Sequence, residues 1–135
     1  MKSTLTAIAL ALTALTANAQ GFPSKNVTIV VPTAAGGGND LMARTIAQKL
    51  APMLGQSVIV ENKAGANGAI ASEFVARAAP DGHTLMLGYI ATHAMNPALQ
   101  KLRYDPVTDF EPIGLVGSSP NLMIANSKTP IKDVR

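Results

Sequence analysis

The chain has 135 residues, a net charge of +3 and no cysteine. This length suits one compact domain rather than two full-sized ones, and the missing cysteine excludes disulfides, thiolate metal sites and a thiol nucleophile. Phenylalanine and tyrosine together number five and the basic residues are scattered singly, so a basic-aromatic surface for nucleic acid is not expected.

The first 19 residues have the pattern of a cleavable secretory signal peptide. Lys2 supplies the positive charge, residues 5–15 are apolar, and residues 17–19 (ANA) place small side chains where signal peptidase needs them. The apolar stretch is shorter than the roughly 20 residues of a membrane-spanning helix. We therefore expect export to the periplasm without direct membrane insertion after cleavage; the alternative is an amphipathic N-terminal helix of the folded domain.

The next 70 residues predict repeated strand–loop–helix units. The predicted strands are 27–31, 57–62 and 83–88, and the predicted helices are 41–54 and 69–79. This order is typical of an α/β domain with a mainly parallel sheet flanked by helices. Right-handed crossovers place the loops that follow the strands at one edge, where such sheets bind ligands.

The helix over 41–54 is predicted to begin with Asn39 or Asp40 as its N-cap and to end at Gly55. Pro52 is expected to make the last turn irregular because it removes one internal hydrogen bond. Helical spacing predicts an apolar face formed by Met42, Ile46, Leu50 and Met53 or Leu54.

The remaining residues predict shorter elements. Residues 91–99 indicate a short helical segment broken near Pro97. Residues 113–116 and 122–125 indicate two short apolar strands, and residues 129–134 have the pattern of a helix start, with Thr129 as the cap and Pro130 in the first turn.

The stretch VPTAAGGGND, residues 31–40, joins the first strand to the first helix. Backbone N–H groups and the positive end of a helix dipole make such a loop an anion site. The spacing fits neither a dinucleotide fingerprint nor a phosphate loop with its lysine. Three interpretations stay open: a nucleotide site, a purely structural loop, and a cradle for a carboxylate.

Enzymatic chemistry finds little support in the residues. The two histidines, His83 and His93, lie ten positions apart without neighbours at metal-ligand spacing, and His83 is expected to be structural or exposed. No serine lies in a nucleophile elbow. Asp105 and Asp109 are most simply acceptors within a turn-rich loop. We therefore predict no catalytic residue, no metal and no cofactor.

Four ordered segments closely resemble the substrate-binding proteins of tripartite tricarboxylate transporters, the TctC/Bug receptors. The similarity runs from about Pro23 to the last residue. The segments are PSKNVTIVVPTAAGGGNDLMAR (23–44), LGQSVIVENKAGANGAIASEFVARAAPDGHTLMLG (54–88), THAMNPAL (92–99) and YDPVTDFEPIGLVGSSPNLMIAN (104–126).

The resemblance implies a type II periplasmic-binding-protein fold, in which two α/β lobes close over a small carboxylate. It implies a monomer that delivers an organic acid to the membrane permease subunits of the transporter. Residues 1–19 would be the signal peptide and 20–112 a first lobe that needs a C-terminal segment for completion. Residues 113–135 would be the crossing strands and the start of the second lobe, which is only begun.

The resemblance also assigns ligand contacts. The first strand-to-helix loop would hold the ligand's carboxylates, with Asp40 beside it as a partner for a ligand ammonium group or, the favoured interpretation, as a helix cap. Tyr89 stands where the family more often has a small or hydroxyl residue, so its ring would narrow the pocket or stack on the ligand. The other residues assigned to the ligand are Ala34, Ala35, Gly36, Gly37, Gly38, Asn39, Thr92 and His93.

Two other functions remain alternatives to a binding receptor. One is a truncated, non-binding remnant of such a receptor, and the other is an exported α/β enzyme with an anion-binding glycine loop.

Overall fold

A computed structural model describes residues 21–120, 122–126, 128–130 and 133. The predicted signal peptide, residues 1–19, lies outside the described residues. The strands are β1 (Val27–Val31), β2 (Val58–Asn62) and β3 (Thr84–Met86). The helices are α1 (Gly38–Leu54), α2 (Ala69–Ala76) and α3 (Asn96–Leu99), with a 3₁₀ turn at Ala66–Gly68 and a π-helical turn at Ala91–Met95.

The three strands form one parallel sheet in the order β2-β1-β3. Val31 lies opposite Asn62 on one side of β1, and Val30 lies opposite Met86 on the other. The prediction of a mainly parallel sheet flanked by helices is confirmed. Because the strands are parallel, their carboxyl ends meet at a single edge, and all the connections that leave them begin there.

The core is built around β1, which has neighbours on both sides and both faces covered. Val27, Val30 and Val31 are completely buried, as expected for the continuous apolar run of a central parallel strand. Ala43 and Ala47 of α1 belong to the same buried cluster as Val31. The central strand and α1 therefore fix the position of the loop that joins them.

The structure corrects the predicted start of α1. The N-cap is Gly37 rather than Asn39 or Asp40, and the helix begins at Gly38. Asp40 is the third helical residue, so its side chain turns back over the loop instead of capping the helix end. The helix ends at Gly55 as predicted, in a left-handed conformation with a φ of 64°, and it continues past Pro52 to Leu54.

The predicted apolar face of α1 is also partly wrong. Met42 and Met53 are 39% and 78% exposed, whereas Ala43 and Ala47 are buried and Ile46 packs against them. The helix lies close to the sheet, so small side chains occupy the centre of its contact. Longer side chains fit only towards the rim of that face.

The ends of the other elements differ from prediction. Helix α2 ends at Ala76 and strand β3 spans three residues, both shorter than expected. Pro97 does not break the helical segment, because it lies in the first turn of α3, where a missing N–H leaves no helical bond unmade. The π-helical turn runs directly into α3 at Asn96.

The strands predicted at 113–116 and 122–125 are absent from the described residues, where both segments are irregular and exposed. Within the described part of the chain they have no neighbouring strand with which to pair. The helix predicted from Thr129 falls partly on residues that are not described, and residues 128–130 form a turn and bend. Across the described ranges, no helix has the length and apolar character required to cross a membrane.

Candidate functional site

Three loops leave the carboxyl edge of the sheet side by side. We call them the first loop (residues 32–37, after β1), the second loop (63–68, after β2) and the third loop (87–95, after β3). The N–H of Lys63 donates to the carbonyl of Val31 at 2.9 Å, and the N–H of Leu87 donates to the carbonyl of Val30 at 3.0 Å. The second and third loops therefore each begin hydrogen-bonded to the end of the central strand, from which the first loop continues.

Three consecutive glycines, Gly36 and Gly37 in the first loop and Gly38 at the start of α1, have different structural needs. Gly36 has a φ of +84°, a conformation that favours glycine. Gly37 has an ordinary φ of −81°, and a Cβ added there would meet only the Ala34 carbonyl oxygen, at a normal 3.5 Å. A Cβ added to Gly38 would meet nothing within 4 Å. Of these three glycines, only Gly36 has a backbone conformation that favours glycine.

The start of α1 offers unpaired donors beside these glycines. The first helical bond runs from the N–H of Leu41 to the carbonyl of Gly37, at 3.0 Å. The preceding N–H groups of Gly38 and Asn39 have no acceptor in the part of the chain that the structure describes. Free N–H groups and the positive end of the helix dipole together favour an anion.

Asp40 fastens the first loop to α1. Its Oδ2 accepts hydrogen bonds from the Gly36 N–H at 2.9 Å and from the Arg44 Nε at 3.0 Å. These bonds, that of Arg44 first, lower the pKa of the buried carboxyl from 3.8 to about 2. The other carboxylate oxygen, Oδ1, is buried and has no protein partner among the described residues. Asp40 is thus a charged acceptor that fixes the conformation of Gly36.

Arg44 and Asn62 continue this network, and the sequence analysis assigned neither of them a role. Arg44 donates from Nη2 to the Asn62 Oδ1 at 3.3 Å, and Asn62 donates from Nδ2 to the Thr33 carbonyl at 3.1 Å. The loop is therefore tied at Thr33 and Gly36 to two different elements. The i,i+4 spacing of Asp40 and Arg44 is the sequence signal that could have identified the first of these links.

Within the third loop, Thr92 is completely buried. Its hydroxyl donates to the Tyr89 carbonyl at 2.8 Å and accepts the Tyr89 N–H at 3.1 Å. The His93 Nδ1 lies 2.8 Å from the same oxygen, within hydrogen-bond distance. The structure therefore places the Thr92 hydroxyl inside the loop, where it holds the turn.

His93 and Tyr89 occupy the outer part of the third loop. Burial lowers the pKa of the His93 imidazole, because desolvation disfavours the charged form of the ring. It packs edge-on against Phe110, with ring centroids 5.1 Å apart. The Tyr89 hydroxyl donates to the backbone and side-chain oxygens of Asn67, both at 3.3 Å. Tyr89 thus bridges the third loop to the second, and its predicted stacking on a ligand stays a prediction.

All three loops meet at Gly68, at the end of the second loop. A Cβ added there would lie 2.6 Å from the Thr92 Cγ2, 3.1 Å from the Pro32 Cβ and 3.3 Å from the Tyr89 Cε1. Gly68 also has a φ of +90°. The structure therefore joins the glycines of the first loop and the predicted residues of the third into one edge of the molecule.

The residues considered for catalysis have structural partners elsewhere. His83 is buried at the opposite edge of the sheet, where its Nε2 accepts the Ser24 N–H at 3.2 Å. Asp105 accepts the N–H groups of Val107 and Thr108 within its own turn, as predicted. Among the described residues, no three acidic or histidine side chains gather to hold a metal ion.

Comparison with known proteins identifies the family. The TctC family model, described as the tripartite tricarboxylate transporter family receptor, matches residues 42–135, and the chain belongs to this family. It is 40% identical to a UPF0065 protein of Agrobacterium vitis, over 92% of this chain and 37% of that protein. It is 37% identical to the protein BugT of Bordetella pertussis, over 90% of this chain and 38% of that protein.

Solved structures support the same assignment. MatC from Rhodopseudomonas palustris, with bound malate, is 48% identical and superimposes with a TM-score of 0.67 over 70% of this chain and 33% of its own. A second R. palustris protein, with adipate, is 39% identical with a TM-score of 0.60, over 64% of this chain and 29% of its own. The chain spans 37–40% of the curated relatives, so the described sheet is part of a lobe.

Proposed function

We propose that the protein is a periplasmic solute-binding receptor that captures a small organic acid for a tripartite tricarboxylate-type transporter. Family membership supports the receptor function. The malate and adipate found in two related structures support a carboxylate as the ligand. In this proposal the protein binds and releases its ligand without chemical change, and the transporter's permease subunits are its partners.

The observation that carries this proposal is Gly38, the first residue of α1. Its φ is not positive, and a Cβ added there would meet nothing within 4 Å. Glycine suits the N-cap position that Gly37 occupies, but inside a helix it costs roughly 0.5–1 kcal/mol relative to alanine, so bare backbone at Gly38 needs a reason outside the fold. Close approach of a ligand to the N–H groups at the start of α1 supplies that reason.

The proposed ligand site is the exposed part of the first loop. Residues 34–36 lie at the surface beside Gly37 and Gly38, and Asn39 follows with its N–H directed from the first helical turn. Asp40 stabilises this arrangement by accepting the hydrogen bond from the Gly36 N–H. Backbone N–H donors can bind carboxylates of several kinds. A cationic side chain would instead favour ligands of one particular charge and geometry.

The experiment that tests the proposal is a titration of the ¹⁵N-labelled protein with malate, adipate and citrate, followed by NMR. We expect saturable shifts of the Gly36, Gly37 and Gly38 amide resonances with at least one of these acids. ATP and NAD serve as competing anions. Binding of a nucleotide with no response to any carboxylate would overturn the proposal and favour the exported enzyme.

A glycine substitution makes the test specific for the site. Gly38→Ala should preserve or slightly raise the unfolding temperature, because alanine is the better helix former, while it weakens carboxylate binding by roughly tenfold, the effect of losing about 1.4 kcal/mol. Gly21→Ala is the matched control, since a Cβ there also meets nothing within 4 Å. Equal affinity of all three proteins would show that the first loop does not bind the ligand.

The division of the chain belongs to the same proposal. Residues 20–112 would form most of the first lobe, and residues 113–135 would lead into the second. A protein that folds as described but binds no carboxylate at millimolar concentration would instead support the non-binding remnant.

A further inference from the structure

The second loop carries the least favourable backbone in the described fold. Ala66 and Asn67 are consecutive residues with φ values of 45° and 53°. This left-handed region is uncommon for residues with a Cβ, and a short polar side chain such as asparagine tolerates it best. Such conformations persist when the surrounding structure fixes them, and they are concentrated at functional sites.

An amide pair fixes this conformation. The Asn67 Nδ2 donates to the Asn96 Oδ1 at 3.0 Å, and the Asn96 Nδ2 donates to the Asn67 carbonyl at 3.0 Å. Asn96 is 2% exposed, so losing either bond would leave a buried polar group unpaired, which is costly. The Tyr89 hydroxyl lies 3.3 Å from the same Asn67 carbonyl oxygen and 3.3 Å from the Asn67 Oδ1, and donates to them.

The pair lies at the junction of the three loops. Asn96 directly follows the π-helical turn that ends the third loop, and Asn67 directly precedes Gly68. Gly68 in turn is packed against Pro32 of the first loop and Thr92 of the third. Any change in the Asn67–Asn96 pairing is therefore transmitted through Gly68 to both loops at once.

We propose that Asn67 and Asn96 are positioning residues for the ligand site, which set the separation of the first and third loops. This inference rests on the proposed function, because it concerns the same site. The separation of the loops limits the length of the diacid that fits between them. The amide pair therefore determines selectivity between a shorter dicarboxylate such as malate and a longer one such as adipate.

The test compares dissociation constants for malate and adipate in Asn96→Ala and Asn67→Gly, well below the unfolding temperature of each protein. Glycine tolerates the left-handed backbone at position 67, so this variant removes the amide pair with little strain. We expect each variant to bind the preferred acid about tenfold more weakly and to change the malate-to-adipate affinity ratio at least about threefold. The double variant should be no weaker than the weaker single variant, since both changes remove one interaction.

Val27→Ala is the control for a purely structural effect. Val27 is completely buried in the first position of β1, at the far edge of the sheet from the loops. Its truncation should lower the unfolding temperature while both dissociation constants and their ratio stay at the wild-type values.

The outcomes separate the two proposals. Wild-type affinities and an unchanged ratio in Asn67→Gly would overturn the positioning role and leave the proposed function intact. Because residue 67 is exposed, Asn67→Gly also tests the positioning role if Asn96→Ala does not fold. A wild-type protein that binds none of the carboxylates would overturn both proposals.

Discussion

The backbone at Gly36 has a φ of +84°, whereas its neighbour Gly37 has a φ of −81°. The two residues are identical in the sequence and differ in what they do. Gly36 allows the chain to turn, and Asp40 holds that turn by accepting its N–H. Gly37 is the N-cap of α1, a position that glycine suits, and Gly38 leaves open space at the start of the helix. At the residue scale, the site combines a glycine required by its φ, a glycine that caps the helix and a glycine that the fold does not require.

Asp40 leads to a prediction about acid stability. Its folded pKa of about 2 is below the ordinary 3.8, so the ionised carboxylate stabilises the fold above the ordinary value, and this contribution is lost as the pH falls through about 2. Asp40→Asn should therefore lower the unfolding temperature most at pH 7. The difference from wild type should shrink steadily below pH 4, as measured by thermal melts between pH 2 and pH 7.

A matched acidic residue controls this experiment. Glu73 makes a 3.5 Å ion pair with Arg77 on the surface of α2, and exposed pairs contribute little to stability. Glu73→Gln should follow the wild-type melting curve at every pH. An Asp40→Asn protein whose deficit is the same at pH 2 and pH 7 would show that the charge of Asp40 does not stabilise the loop. Asp105, whose pKa is lowered by the N–H groups of Thr108 and Val107, keeps some acid sensitivity in every variant.

At the scale of elements, the periodic patterns in the sequence predicted the type and position of the strands and helices. They did not predict how closely these elements pack. The continuous apolar run of β1 and the glycine stop at Gly55 were both predictable, because each depends on a local property of the chain. The buried face of α1 was not, since the distance between helix and sheet selects Ala43 and Ala47 over Met42 and Met53. That distance is a property of two packed elements.

Only some residues of the candidate site could be predicted from the sequence. The first loop was found from its composition, and Asp40 from its position beside it. The contribution of Asn62 could not be predicted, because an asparagine at the end of a strand belongs to no periodic sequence pattern. The Asn67–Asn96 pair joins residues 29 positions apart, and only the fold brings them together.

The packing of α1 gives a second prediction. Ala43→Leu should lower the free energy of unfolding by roughly 1–3 kcal/mol, the usual effect of overpacking a filled core, because Ala43 has no exposed surface. Met53→Ala should change it by less than about 0.5 kcal/mol, since the side chain is largely in solvent. Urea denaturation measures both. If Met53→Ala destabilises the protein as much as Ala43→Leu does, Met53 belongs to the buried face of α1, as the sequence pattern predicted.

At the scale of the whole molecule, apolar exposure is highest after residue 112. Ile113, Leu115, Leu122, Met123 and Ile124 are all more than 80% exposed, and the segments that contain them are irregular. Exposed apolar side chains in such numbers are typical of a surface that packs against other protein. This distribution agrees with the chain's coverage of 37–40% of its relatives and with the proposed boundary after residue 112.

Limited proteolysis with chymotrypsin tests that boundary. Among the bonds of residues 21–126, those after Leu115 and Leu122 should be cut first, because irregular exposed backbone fits a protease and helical backbone does not. Leu41 is 68% exposed but lies in α1, so it should resist. Mass spectrometry of early fragments identifies the cuts, and Leu115→Gln with Leu122→Gln should slow them while Leu41→Gln does not. Early cleavage within α1 would contradict a stable unit that ends near residue 112.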